Sequence, residues 1–199
     1  MRRIWGTSGA VITGFQYAIE KGYDWIWVLD ADSALRKDAL EKLIELYGSF
    51  PDELREQIRV LASSPGEPGE GASRKHRGWI RFTIRGYELI LPDPEQLFYE
   101  CDANVWTGSL FKLAAVSKTG LPPADYVLDM GEFQCGYLGK LRGYRTFIHT
   151  GSVVEHNIGG HAAAHFRSHR FGPILFADAG ATAHSLLRRR AQLFVLLAI

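Results

Sequence analysis

Two carboxylates stand one residue apart in Asp30-Ala31-Asp32-Ser33, immediately after the compact apolar run Trp25-Ile26-Trp27-Val28-Leu29. At the end of a strand both acids can reach one cation, and hard oxygen ligands favour Mg²⁺ or Mn²⁺. In an open α/β sheet the ligand crevice lies outside the carboxyl ends of the strands, where such a pair would sit. A divalent ion held there would neutralise a departing diphosphate. The same two acids also suit a plain turn and the cap of a following helix, so the pair alone leaves both readings open. Further acids, Asp125, Asp129 and Glu132, occur in DYVLDMGEF, and His156 follows a β-branched run in SVVEHNIGG. A lone histidine is most often a polar residue with a satisfied partner. His161, His165 and His169 recur at spacings of four, which would place them on one helical face. That spacing suggests zinc, and hence a metallohydrolase, but no acid or cysteine stands at the usual ligand offset and no H-E-x-x-H occurs. We read these three as surface residues.

The elements that must carry these groups follow from periodicity. After the glycines at the start, Val11, Phe15, Ala18 and Ile19 have helical spacing and Gly22 ends the helix. WIWVLD, Trp25 to Asp30, predicts a buried parallel strand that delivers its acid to the sheet's carboxyl end. A helix follows over Asp38 to Tyr47, with Asp38 near the positive end of its dipole. Ile58 to Ala62 predicts another strand, and PGEPGEGASRKHRG a surface loop. WIRFTI and YELIL around Arg85-Gly86 predict an antiparallel hairpin. Helices are expected over Leu110 to Lys118 and Phe133 to Arg142, and one or two strands over Tyr144 to Val154. Strand alternating with helix is the α/β rhythm.

The 199 residues, 46% hydrophobic and 23% charged, suit one globular domain with a sizeable core. A formal net charge of +1 gives no footprint for nucleic acid. The two cysteines, Cys101 and Cys135, form no C-x-x-C pair, so neither a disulfide framework nor a cysteine zinc knuckle is indicated, and reducing cytoplasm is the default compartment. No run approaches the ~20 apolar residues of a spanning helix, and the opening residues do not make a signal peptide. Arg188, Arg189 and Arg190 precede the apolar AQLFVLLAI, so residues 175–199 read either as a segment lying on an anionic membrane surface, at the inner face of the plasma membrane, or as a final helix cut short.

GYDWIWVLDADS, together with the upstream GTSGAVITGFQYA, resembles the D-x-D strand and the glycine-containing loop and helix of family 2 glycosyltransferases. CDANVWTGSLFKLAAVSKTGLP and DYVLDMGEFQCGYLGKLRGY resemble the second half of that family's site. The resemblance runs from the glycine loop through HFRSHRFGPILF, and the bacterial rhamnosyl- and galactofuranosyltransferase branches are the nearest in kind. It implies the GT-A fold, a Rossmann-like nucleotide-diphospho-sugar transferase sheet with flanking helices, in an α/β protein whose first βα segment is missing. The whole of 1–199 would then be one catalytic domain, partial at its start. It implies an inverting, metal-dependent enzyme that passes a sugar from a UDP- or dTDP-sugar to a glycan or lipid-linked acceptor in cell-surface polysaccharide synthesis.

By that resemblance Asp32 binds Mn²⁺ or Mg²⁺ directly, Asp30 helps to hold the metal or the donor ribose, and His156 contributes to the metal site. Gly9 lies beside the donor, and Trp106, Thr107 and Gly108 line the sugar pocket, although Trp106 also suits an ordinary core position. Glu132 is the expected catalytic base, with Asp129 in reserve; as a bland alternative Glu132 is a solvated carboxylate at a helix start. Family members carry an acidic pair here, and this sequence reads D-M-G-E, with Gly131 in place of the first acid. The family also begins with a strand and helix that hold the nucleobase. Their loss would leave an unpaired sheet edge and weaken donor binding, so an inactive carbohydrate-binding or scaffold remnant is the competing expectation.

Overall fold

The computed structural model describes residues 6–30, 33–66, 79–91, 93, 95–122, 131–156, 163–168, 172–177 and 195–198. Helix α1 (Gly6–Glu20) buries Val11, Phe15 and Ala18, the spacing that marks one helical face, while Ile19 is exposed. Gly9, expected in a loop ahead of the helix, lies inside it, and its carbonyl accepts a 2.8 Å bond from Thr13 Oγ1. Burial of Ser8 and Gly9 against the rest of the molecule outweighs the poor helix propensity of glycine. Gly22, at φ 76°, then turns the chain into β1 (Trp25–Leu29).

There follow β2 (Ser33–Leu35), α2 (Ala39–Ser49), α3 (Asp52–Gln57) and β3 (Ile58–Gly66). Next come the hairpin β4 (Ile80–Thr83) and β5 (Gly86–Leu89), then β6 (Phe98–Cys101), β7 (Ser109–Lys112) and α4 (Leu113–Thr119). The remainder is α5 (Gly131–Leu141), β8 (Arg145–His156), β9 (Ala163–Ser168), β10 (Gly172–Ala177) and β11 (Val195–Ala198). Strand order in the main sheet is β11-β1-β7-β3-β8-β2, with β6 also on β8. The expected hairpin, α1, α2, α5, β3 and β8 are all present.

Three expectations are corrected. β1 is not a parallel strand: it runs antiparallel to both β7 (Val28↔Ser109) and β11 (Val28↔Leu196), and among the described strands only β3 and β8 pair in parallel. Its unbroken apolar run reflects burial on both faces, which parallel and central antiparallel strands share. Residues 109–112 are strand, and the helix expected from Leu110 starts at Leu113. Leu110 and Phe111 point into opposite cores, so a tract this short reads alike as helix or strand. Finally, residues 175–177 and 195–198 of the tail are strand, not helix. Val195–Ala198 lies along β1, so that edge is paired in this structure. Among the described residues no helix is long and apolar enough to cross a membrane.

The sheet separates two cores. Ile26, Val28, Val60, Ala62, Phe111 and Ile148 face Phe15 of α1, Val116 of α4 and Cys135 of α5. Trp27, Leu29, Leu61, Leu110, Phe147 and Val154 face Leu43 and Leu46 of α2. Each large side chain so buried contributes about 1.5–3 kcal/mol. Helix α5 is seated by close contact: Gly136 lies so near Ala103 and the Asp102 carbonyl that any Cβ would overlap them. Lys140 then reaches Asp102 at 2.5 Å.

Two glycines in helices should therefore respond oppositely to alanine. Gly136→Ala is expected to destabilise by about 1–3 kcal/mol through overpacking. Gly48→Ala, in α2 with open space around the added carbon, should stabilise by about 0.5–1 kcal/mol. Urea denaturation of both variants checks the sign.

Candidate active site

The turn Trp106-Thr107-Gly108 organises the carboxyl end of β1. Thr107, buried, accepts the Asp30 N–H at 3.3 Å through Oγ1, which also lies 2.8 Å from Ser33 Oγ. The Gly108 N–H donates to the Val28 carbonyl at 2.9 Å, and the Gly108 carbonyl accepts the Ser63 N–H at 2.9 Å. Gly108 stands at φ 77°, and a Cβ there would lie 3.0 Å from Ser63 Cβ and 3.1 Å from Val154 Cγ2. Only glycine meets both demands, a left-handed backbone and no side chain. Asn104 stiffens the same loop, its Nδ2 donating to the Val105 carbonyl and to Ser109 Oγ, each at 2.7 Å.

Trp106 is a core aromatic, 5% exposed and packed in the α1–α5 core. Its ring also forms the floor under the start of α5. A Cβ at Gly131 would lie 2.8 Å from Ser8 Oγ and 3.1 Å from Trp106 Cη2. Gly131 thus brings α5, α1 and the 106–108 turn into direct contact, and Glu132, half-buried, is the next residue. Its charge lies in the first turn of α5, where the helix dipole favours an anion. Ser8 Oγ and Trp106 Nε1 are buried here without a hydrogen-bond partner among the described residues. Unsatisfied buried donors cost about 1–3 kcal/mol each, and such groups mark places where a bound molecule or water completes the bonding. Ser8 was not picked out from the sequence; its position between two glycines of the family-like loop was the available signal.

His156 ends β8 opposite Ser33 of β2, with Glu155 opposite Ala34. Arg36 and Glu155 lock this pairing through an ion pair at 3.2 Å. The histidine's backbone is therefore opposite the residue that follows Asp32 in the chain. Asp32 itself, Asp125 and Asp129 lie outside the described residues, as does the side chain of His156. Among the described residues no three His, Cys, Asp or Glu side chains are grouped as a metal site. Of the three expected metal ligands, the structure describes the Asp30 backbone at the end of β1 and the His156 backbone at the end of β8; two carboxylates and an imidazole are a donor set of a kind that Mn²⁺ or Mg²⁺ accepts.

His165 lies in β9, so the helical face expected for His161, His165 and His169 is corrected for its central member; the other two lie outside the described residues. Antiparallel pairing of β9 with β10 along its whole length takes the place of the helix. The cysteines are free and buried. Burial, with the Asp102 and Glu100 charges, pushes the Cys101 thiol far above its ordinary range, which removes it as a nucleophile. A cleft of about 600 Å³ lined by Glu53, Lys112, Lys118, Arg142 and Tyr144 lies at the opposite end of the sheet, since Lys112 pairs with Trp25 at the start of β1. It takes no part in the acidic corner.

A sheet whose antiparallel and parallel strands deliver acids, a glycine turn and a helix start to one end is the GT-A glycosyltransferase architecture. Comparison with solved structures agrees: a structure described as GalNAc-T7 with UDP, GalNAc and Mn²⁺ superposes with a TM-score of 0.57 at 16% identity, covering 78% of this chain. The match takes in 31% of that protein's chain. Residues 1–91 match the family model described as Glycosyl transferase family 2, which bears out the family resemblance over that part of the chain, and the structural match bears out the GT-A fold. The match includes α1, β1 and the D-x-D. Neither comparison singles out a branch of the family, and no curated protein matches the sequence.

The contact between α1 and α5 yields a test. Gly131→Ala is expected to destabilise by about 1–3 kcal/mol, and less in a Ser8→Ala background, where the nearest obstructing atom is gone. A double-mutant cycle by chemical denaturation should give a coupling of about 1 kcal/mol, and additivity would mean that the two helices do not meet there.

Proposed function

We propose that this chain carries the catalytic site of an inverting, metal-dependent glycosyltransferase that uses a nucleotide-diphosphate sugar. The observation that supports it most is the meeting of three distant segments: Asp30 and Ser33 on Thr107, Trp106 under Gly131, and Glu132 beside them. In this reading Asp30, Asp32 and His156 would hold Mn²⁺ or Mg²⁺, whose charge, when bound, offsets that of the leaving diphosphate. Ser8 Oγ and the start of α1 with Gly9 lie toward the donor, where backbone N–H groups favour anionic oxygens.

Glu132 takes the proton from the acceptor hydroxyl as that oxygen attacks the sugar carbon, opposite the departing oxygen, which inverts the configuration. Asp129 is the reserve base. Trp106 and Thr107 shape the sugar pocket. A UDP- or dTDP-sugar is the donor class, and a glycan or lipid-linked chain of the cell surface the acceptor class. The structural relative is a complex with UDP and Mn²⁺, which supports the donor and metal classes. The enzyme would act in the cytoplasm, at or near the inner face of the membrane that carries such acceptors, with 1–199 as a single domain.

One observation favours a second reading. At position 131, where the family carries the first acid of a pair, a side chain would press on Ser8 Oγ and the Trp106 ring. Glu132 must then act without that neighbour, or the site binds sugar without turnover.

Turnover of a nucleotide-sugar panel with Mn²⁺ decides between the two. We expect product with wild type, loss of about 10²–10⁴-fold in kcat for Glu132→Gln, and near-complete loss for Asp32→Ala or on chelation with EDTA. Sugar binding that persists without turnover, and that neither substitution alters, would establish the binding remnant instead.

A further inference from the structure

Strand β8 changes partner halfway along. Its first part pairs with β6 (Phe98↔His149), its last part with β2 (Ser33↔His156), and β3 accompanies both. Between them the register against β3 jumps, Ser63 opposing His149 and Ser64 opposing Val153, so Thr150, Gly151 and Ser152 form a bulge. Its polar groups are bonded. Lys42 of α2 donates to the Gly151 carbonyl at 2.9 Å, Ser152 Oγ donates to the Ala39 carbonyl at 2.7 Å, and Thr150 Oγ1 donates to the Gln96 carbonyl at 2.7 Å.

The two remaining N–H groups converge on one atom. Nδ1 of His149 accepts from Gly151 N at 2.9 Å and from Ser152 N at 3.2 Å. An imidazole that accepts at Nδ1 must carry its proton on Nε2 and be neutral. His149 is 6% exposed, and its side chain can meet this demand only in that form.

We propose that the bulge is an acid-released latch, with neutral His149 as the positioning residue that holds the last part of β8 in register with β2. Protonation of Nδ1 would aim a third N–H at the two amide donors and place a cation beside Lys42. The bonds across the bulge then break, and Val153 to His156 lose their fixed offset from Ser33. Burial, then Lys42, hold the imidazole below its ordinary range, while Glu45 opposes them. Lys42 and Glu45, both on α2, are the charged groups among the described residues that act on it, and Lys42 is itself paired with Asp38. The unfolded chain thus takes up its proton at a higher pH than the folded one. The stabilisation is complete above the ordinary histidine range and is lost as pH falls through it toward the lowered folded value. If His156 holds the metal, as proposed above, release of β8 also loosens that ligand; the latch itself does not rest on that reading.

Amide hydrogen exchange of the whole chain tests it without metal or donor, so failure of the transferase reading leaves the result intact. On going from about pH 7.5 to about pH 5, and after correction for intrinsic rates, we expect Gly151, Ser152 and Val153 to Glu155 to exchange at least about tenfold faster, while Ile26 to Val28 in β1 stay protected. His149→Asn, whose carboxamide oxygen can accept near the Nδ1 position without titrating, should keep protection at both pH values. His149→Ala should exchange fast at both. Wild-type protection that does not change with pH would overturn the proposal, as would a pH response retained in His149→Asn. Both arms remain decisive if the alanine variant fails to fold.

Discussion

The site depends on one stretch of backbone that tolerates no side chain. Gly108 ties β1 to β3 through two 2.9 Å bonds, and its left-handed φ aims Thr107 back at Asp30 and Ser33. The strands on either side could drift by a few tenths of an ångström without loss of their cores. The turn cannot, because Ser63 and Val154 already touch the space a Cβ would fill. The positions of Asp30 and Ser33 and of the 106–108 turn are thereby made one variable, not two.

A second constraint comes from a buried charge. Arg59 is 2% exposed, yet no carboxylate is bonded to it among the described residues. Its guanidinium donates to Thr119 Oγ1 at 2.9 Å, and to the carbonyl and Sγ of Cys135, each at 3.0 Å. Desolvating a cation costs several kcal/mol unless its donors are used, so these bonds hold α4 and α5 to β3 at fixed distances. Gly139 leaves room for the arginine stem. The helix that begins with Gly131 and Glu132 is located from its middle, through Arg59 and Gly136, as well as from its start.

Elements with a strong period were readable from the sequence. Val11, Phe15 and Ala18 gave α1 away, the alternation around Arg85-Gly86 gave the hairpin, and the abrupt acid after WIWVL marked the sheet end that carries the candidate site. Strand direction was not readable, because Trp25–Leu29 is buried on both faces and such a run looks the same in either kind of ladder. Leu110 and Phe111 failed for the same reason. Of the site, the strings around Asp30, Trp106 and Glu132 were legible through their resemblance to a family, whereas Ser8, Asn104 and His149 were not. Ser8 acts through a packing contact with Gly131, far along the chain, while Asn104 and His149 act through paired bonds inside a loop and a bulge, and neither composition nor periodicity records such contacts.

The position of β1 has a consequence for how the chain is made. Its neighbours come from far along the sequence: Leu29 pairs with Val195 on one side, and Val28 with Ser109 on the other. At synthesis rates of roughly 5–20 residues per second, an apolar strand that is central in the finished sheet waits several seconds for its first partner and on the order of ten seconds or more for its second. During that interval the two hydrogen-bonding edges that β7 and β11 cover in the finished sheet stay open. This apolar strand is thus exposed early in synthesis relative to its partners, and β7 with α4 is the part whose emergence first shields it.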